Sequence, residues 1–248
     1  MLRKLILNKS LMVFTLFAVS MVFYGIDYML VGNAKDLTVG FLGNFAFLPV
    51  YVIFVTLIVE QIMRERERQT IMRKLNMVIG VFFSEVGNQL LKELSAYVVM
   101  CDELKNRLHV SGQWKAQDFQ FALNYLASHE IRIDCSDCDK RQLKQFLVSK
   151  RNFLVGLLEN QNLLEHEQFT DLLWAVFHLV EELDARQSFD NMPQSDIDHI
   201  NVDIKRAFGY LSREWVLYMK HLKQDYPYLF SLAIRLNPML ENPDPQVY

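Results

Sequence analysis

The sequence predicts an all-α protein: an N-terminal two-helix transmembrane hairpin followed by a cytoplasmic helical bundle. Three observations predict it. Two apolar runs of membrane-spanning length lie within the first sixty residues, separated by a short polar turn. Beyond them, apolar residues recur at steps of three and four, the spacing of one helix face. Six prolines and nine glycines in 248 residues are few for a loop-rich or all-β chain.

The first run, residues 11–30, reads LMVFTLFAVSMVFYGIDYML and carries one charge, Asp27. At about 1.5 Å per residue, such a helix matches a hydrocarbon core of roughly 30 Å. The second, residues 41–59, reads FLGNFAFLPVYVIFVTLIV and carries none. Gly32 to Asp36 is the expected turn, so residues 1–62 form an antiparallel pair of helices. Only helical backbone satisfies its own hydrogen bonds in lipid. A cleaved signal peptide would need a shorter apolar stretch and a small-residue cleavage site, and no second span.

Lys/Arg asymmetry sets the orientation. Arg3, Lys4 and Lys9 precede the first run, and Arg64, Arg66, Arg68, Arg73 and Lys74 follow the second, whereas the turn offers Lys35 alone. The positive-inside rule then puts both termini in the cytoplasm, with the chain in the inner (plasma) membrane. Tyr24 and Tyr28 fall where an outer aromatic belt would sit. Asp27 is an ionisable group inside a span, which marks a site or a carboxylate reaching the outer interface. Pro49, with Asn44 before it, would kink the second span or open its backbone, so Asp27, Asn44 and Pro49 are the pore candidates.

Met63 to Asn76 alternates arginine with glutamate. Arg64, Arg66 and Arg68 would lie at the headgroups, where a basic residue gains about 1 kcal/mol from anionic lipid. No breaker separates them from the second span, so one long helix is expected. It continues into an apolar stripe at Ile71, Leu75, Val78, Phe82, Val86, Leu90 and Leu94. That stripe suits a core face or a seam between subunits. Further helices are expected over residues 113–128, 140–159, 164–186 and 194–223, the last capped by Gln194-Ser195-Asp196 and ended or kinked at Pro227. Residues 129–140, HEIRIDCSDCDK, are the one short segment that reads as extended. These elements make residues 63–236 a helical domain, and residues 237–248, with three prolines, read as a flexible tail.

Net charge is −3, from 26 basic and 29 acidic residues. Phosphate-backbone binding calls for a basic excess, so no nucleic-acid partner is expected. The chain has no P-loop, G-x-G-x-x-G, G-x-S-x-G or H-E-x-x-H pattern. Three cysteines in a reducing compartment imply no disulfide framework. Cys135 and Cys138 form a C-x-x-C pair, but zinc needs four ligands and a second pair is missing; Cys101 and His129 would have to be brought in by the fold. His178 and Glu181, three apart on one helix, share a face as bundle metal ligands do, yet no second Glu-x-x-His copy appears. A charged first turn and an interior histidine account for the same residues without metal. No catalytic residue and no cofactor are expected.

Three blocks carry a resemblance: KLNMVIGVFFSEVG (residues 74–87), KRNFLVGLLENQNLLEHEQFTDLLWAVFHLVEEL (150–183) and YMKHLKQDYPYLFSLAIRLNP (218–238). They resemble an uncharacterised family of prokaryotic two-span membrane proteins with a cytoplasmic helical domain. The resemblance implies that layout and brings no activity, cofactor or site residue with it. The leading functional expectation is therefore a non-enzymatic membrane scaffold or interaction module, homo-oligomeric, with a lipid bilayer and a cytoplasmic protein as partners. The alternatives are a small oligomeric ion channel lined by the hairpin and a helical-bundle metalloprotein. Trp174, Phe177, Trp215 and Tyr218, aromatic at helical spacing, are expected in the core rather than on a partner surface.

Overall fold

The computed structural model describes residues 2–31, 34–99, 101–135, 139–160, 163 and 166–247, with side chains from residue 14 onward except at 31, 34 and 37. Among these residues the chain is all-α, and the one β feature is an isolated antiparallel bridge between Val98 and Ile133. It divides into two compact units, Met1–Glu67 and Arg68–Tyr248.

The first unit holds α1 (Leu2–Val31) and the start of α2 (Ala34–Phe82). Of the expected polar turn, Ala34, Lys35 and Asp36 belong to the first turn of α2, and Gly32 and Asn33 lie outside the described residues. Asp36 there places a carboxylate at the positive end of the helix dipole. Tyr24 of α1 meets Phe41 of α2 edge-on at 6.2 Å, so the two helices fold back on each other. The unit buries almost nothing: Phe14, Phe23, Phe45 and Ile53 are all more than 60% exposed. Among the described residues, Thr38–Ser95 is the one helical stretch long and apolar enough to cross a membrane, and it is unburied over its apolar window. Phe14–Leu30 is a shorter apolar helical segment; residues 11–13 of the expected span lie outside the described side chains. The α2 helix passes through Pro49 without a break in its assignment.

The second unit is a bundle with its own core. It comprises the end of α2, a π-turn (Phe83–Gly87), α3 (Asn88–Ser95), α4 (Cys101–Arg107), α5 (Ala116–Ser128), α6 (Lys140–Leu158), α7 (Glu167–Ala185), α8 (Gln194–Asp225) and α9 (Pro227–Arg235). The long α8 is the axis, touching α3, α5, α7 and α9. Its apolar stripe, Ile200, Ile204, Phe208, Leu211, Trp215 and Met219, is buried. Pro227 starts α9 at a position where its missing N–H costs nothing.

The apolar stripe along residues 71–94 does not run as one unbroken α-helix. At Phe83–Gly87 the hydrogen bonds widen to π spacing, which turns both Phe82 and Phe83 into the core. Phe82 packs edge-on against Phe169 at 5.3 Å, and Phe83 stacks on Tyr218 at 4.8 Å. Gly87 closes this turn, with the Phe83 ring so near that a Cβ would stand 2.5 Å from its Cδ1.

The segment expected to be a flexible tail begins instead with buried residues. Asn237 is fully buried; its Nδ2 donates to the Leu108 carbonyl at 3.3 Å and its Oδ1 accepts from the Met239 N–H at 2.9 Å. Met239 is buried as well. A side chain able to satisfy two backbone groups holds this stretch despite the prolines around it.

Candidate functional site

Polar and titratable side chains concentrate where α7 meets α8. An eight-residue connection, Arg186 to Pro193, links the two helices. Three cross-helix pairings descend α7 as they climb α8, so the helices are antiparallel: His178 with Asp203, Glu182 with His199, and Arg186 with Asp196. Each helix contributes one imidazole and one carboxylate four residues apart, on one face. The antiparallel arrangement sets the histidine of each helix opposite the carboxylate of the other.

The four groups converge. His178 Nε2 lies 3.5 Å from Asp203 Oδ2 and 3.8 Å from Glu182 Oε1. His199 Nε2 lies 3.4 Å from Asp203 Oδ2 and 3.5 Å from Glu182 Oε2. One ligand atom from each residue can be chosen so that all four lie within 4.8 Å of one another. The Asp203 side chain is 1% exposed, whereas the two imidazoles are about half exposed, so the cluster is open on its histidine side.

Arginines hold the carboxylates from outside. Arg206 Nη1 donates to Asp203 Oδ1 at 2.9 Å. Arg186 donates through Nη1 to Glu182 Oε2 at 2.8 Å and through Nη2 to Asp196 Oδ1 at 2.5 Å, and it also reaches the Glu182 carbonyl. That hydrogen bond from Arg186 holds the Glu182 carboxyl below the usual carboxylate range. The other Asp203 oxygen, Oδ2, is buried and accepts no well-directed hydrogen bond, although the imidazole Nε2 atoms of His178 and His199 stand 3.5 and 3.4 Å from it. Chemically, the array is either an ion-pair cluster when the imidazoles are protonated or a two-histidine, two-carboxylate ligand set when they are neutral.

The residues expected to carry chemistry fall in different places. His178 joins the cluster and is not an interior histidine. Glu181 does not join it: it points to α6, where Arg151 Nη2 lies 3.9 Å away. Position i+4 from His178, Glu182, is on the α8 side of the helix and position i+3 is not. Cys135 is buried against α8, its N–H bonded to Asn201 Oδ1 at 2.9 Å and its Sγ near the Ile197 carbonyl. Cys138 lies outside the described residues. His129 stacks on Tyr125 at 4.7 Å, and Cys101 is a half-buried free thiol whose pKa burial pushes up. Neither enters the α7–α8 cluster. Asp27, Asn44 and Pro49 are all exposed in the first unit. Arg64 pairs with Glu60 one turn back at 3.4 Å, and Arg66 and Arg68 are exposed. Of the four aromatics, Trp215 is in the core, Phe177 and Tyr218 pack partly buried against it, and Trp174 is 57% exposed, contrary to expectation. Glu182, His199 and Asp203 were legible only as two H-x-x-x-carboxylate spacings, 178–182 and 199–203.

Comparison with known proteins assigns the chain. Residues 71–235 match the family described as "Uncharacterized protein MJ1433, C-terminal helical domain", and residues 4–63 match "MJ1433, N-terminal helical domain". The chain belongs to the MJ1433 family. It is 40% identical over 219 residues to a Methanocaldococcus jannaschii protein named "Uncharacterized protein MJ1433", covering 88% of each chain. No solved structure matches. The α7–α8 cluster lies wholly within the segment matched as the MJ1433 C-terminal helical domain, and the exposed apolar helices lie within the segment matched as the N-terminal one.

Proposed function

We propose that this chain is an integral membrane protein of the two-span type, with both termini in the cytoplasm, that assembles as a homo-oligomer and presents its helical domain as a non-enzymatic interaction module. One observation carries the reading. The first unit exposes nearly every large apolar side chain from Phe14 to Met63, while the second unit buries a core that runs from Leu75 to Phe230. A chain that folds one core completely and leaves two apolar helices bare has a second solvent for them. Lipid is that solvent, since contiguous apolar surface of this extent is not sustained in water. Lys/Arg flanks at residues 3–9 and 64–74 supply the orientation. Self-association is supported by apolar surface on the second unit, where Met77, Val81 and Trp174 are each more than half exposed.

Fractionation tests the reading. The protein is expected to stay in the membrane pellet after alkaline carbonate washing and to enter solution with detergent. Light scattering of the detergent-solubilised particle is expected to give a multiple of the 29.2 kDa chain. Release by carbonate would refute the two-span anchor, and a monomeric mass would refute the assembly.

A further inference from the structure

The α7–α8 cluster has a geometry that ion pairing alone does not require. Zinc held by nitrogen and oxygen ligands has bond lengths of about 2.0–2.1 Å, so neighbouring ligands in a tetrahedron stand roughly 3.3 Å apart. Asp203 Oδ2 stands 3.5 and 3.4 Å from the two imidazole Nε2 atoms, close to that edge length. Glu182 approaches His178 through Oε1 at 3.8 Å and His199 through Oε2 at 3.5 Å, and one ligand atom from each of the four residues lies within 4.8 Å of the others before any side chain moves. The buried Asp203 carboxylate gives the second, independent indication. Its Oδ1 is held by Arg206, and its Oδ2 accepts no well-directed hydrogen bond although the two imidazole Nε2 atoms face it at 3.5 and 3.4 Å. A buried carboxylate oxygen without a donor is costly to the fold unless a cation or a donor meets it.

We propose that His178, Glu182, His199 and Asp203 form a divalent-metal site, with zinc the best-fitting cation, that staples α7 to α8. The ligands are the Nε2 atoms of His178 and His199, Asp203 Oδ2 and one oxygen of Glu182. Two neutral imidazoles and two carboxylates balance the charge of the cation. Arg206 and Arg186 are the outer partners that fix the carboxylates, as the second shells of metal sites do. Four protein ligands make a closed set, which is the arrangement of a structural site rather than a hydrolytic one. The half-exposed imidazoles leave the way in for the ion.

Full-length protein in detergent, stripped with chelator and dialysed against Zn2+ alone, is expected to bind one ion per chain and to unfold at higher temperature with zinc than without. Substituting Co2+ is expected to give the visible bands of tetrahedral nitrogen/oxygen coordination with no thiolate charge-transfer band. Single changes His199→Gln and Asp203→Asn are expected to weaken zinc binding at least tenfold, whereas Glu181→Gln leaves it unchanged. The Co2+ spectrum of the unaltered chain keeps the proposal testable if a variant misfolds. A thiolate band would move the site to the cysteines and overturn the proposal. So would the lack of stoichiometric binding, or undiminished affinity in a folded His178→Gln/His199→Gln double variant.

Discussion

Asp203 Oδ2 on α8 and His178 Nε2 on α7 stand 3.5 Å apart, twenty-five positions distant in the chain. His199, one turn before Asp203, approaches the same oxygen to 3.4 Å. A carboxylate sealed from water between two imidazoles is an uncommon use of a bundle interior, where most charged groups are excluded. The pairing fixes the register of α7 against α8, because moving either helix by one residue would separate every member of the cluster.

A second buried acid on α8 has no such company. Glu214 is 2% exposed, its Oε1 has no hydrogen-bond partner, and burial raises its pKa to about 7, against a partial counter-effect from Arg213. A folded-state pKa above the unfolded value of about 4.5 means that the native state binds the extra proton. Stability is therefore full below about pH 4.5, falls as pH rises towards 7, and stays reduced above it. Glu214→Gln is expected to remove that loss and to stabilise the domain at pH 8 by on the order of 2 kcal/mol. The gain should vanish at pH 4.5 in denaturant titrations run at the two pH values.

Gly87 closes the π-turn under two phenylalanine rings. A methyl group there would sit 2.5 Å from Phe83 Cδ1 and 2.9 Å from Phe82 Cε1. Both rings are fully buried, and Phe83 is fixed by its stack on Tyr218. Gly87→Ala is expected to destabilise the domain by roughly 1–3 kcal/mol, the usual cost of overpacking, although alanine is the better helix former. Thermal unfolding followed by circular dichroism measures it; an unchanged or raised midpoint would mean the rings can move aside.

The helices were legible because their apolar residues repeat at helical spacing, and α8 illustrates it: every stripe residue from Ile200 to Met219 is buried. The π-turn was not, since a stripe with steps of three and four absorbs one additional residue without visible disturbance; the adjacent Phe82 and Phe83 are its one trace. The site was half legible. His178 stood out as an imidazole among acids, but the choice between Glu181 and Glu182 depends on which side of α7 meets α8. Periodicity within a helix does not decide that. Asn237 was misread for a similar reason: proline-rich composition describes the neighbourhood, and a single side chain bonding Leu108 and Met239 outweighs it.

The proposed two-span arrangement with both termini in the cytoplasm is tested most directly by thiol labelling from outside the cell. The native cysteines, Cys101, Cys135 and Cys138, all lie C-terminal to the second apolar run. A membrane-impermeant maleimide added to intact spheroplasts is expected to leave the unaltered chain unlabelled and to label Lys35→Cys, in the first turn of α2 between the two apolar runs. After permeabilisation, half-buried Cys101 of the unaltered chain is expected to react. Labelling of the unaltered chain in intact spheroplasts, or protection of Lys35→Cys there, would contradict the account.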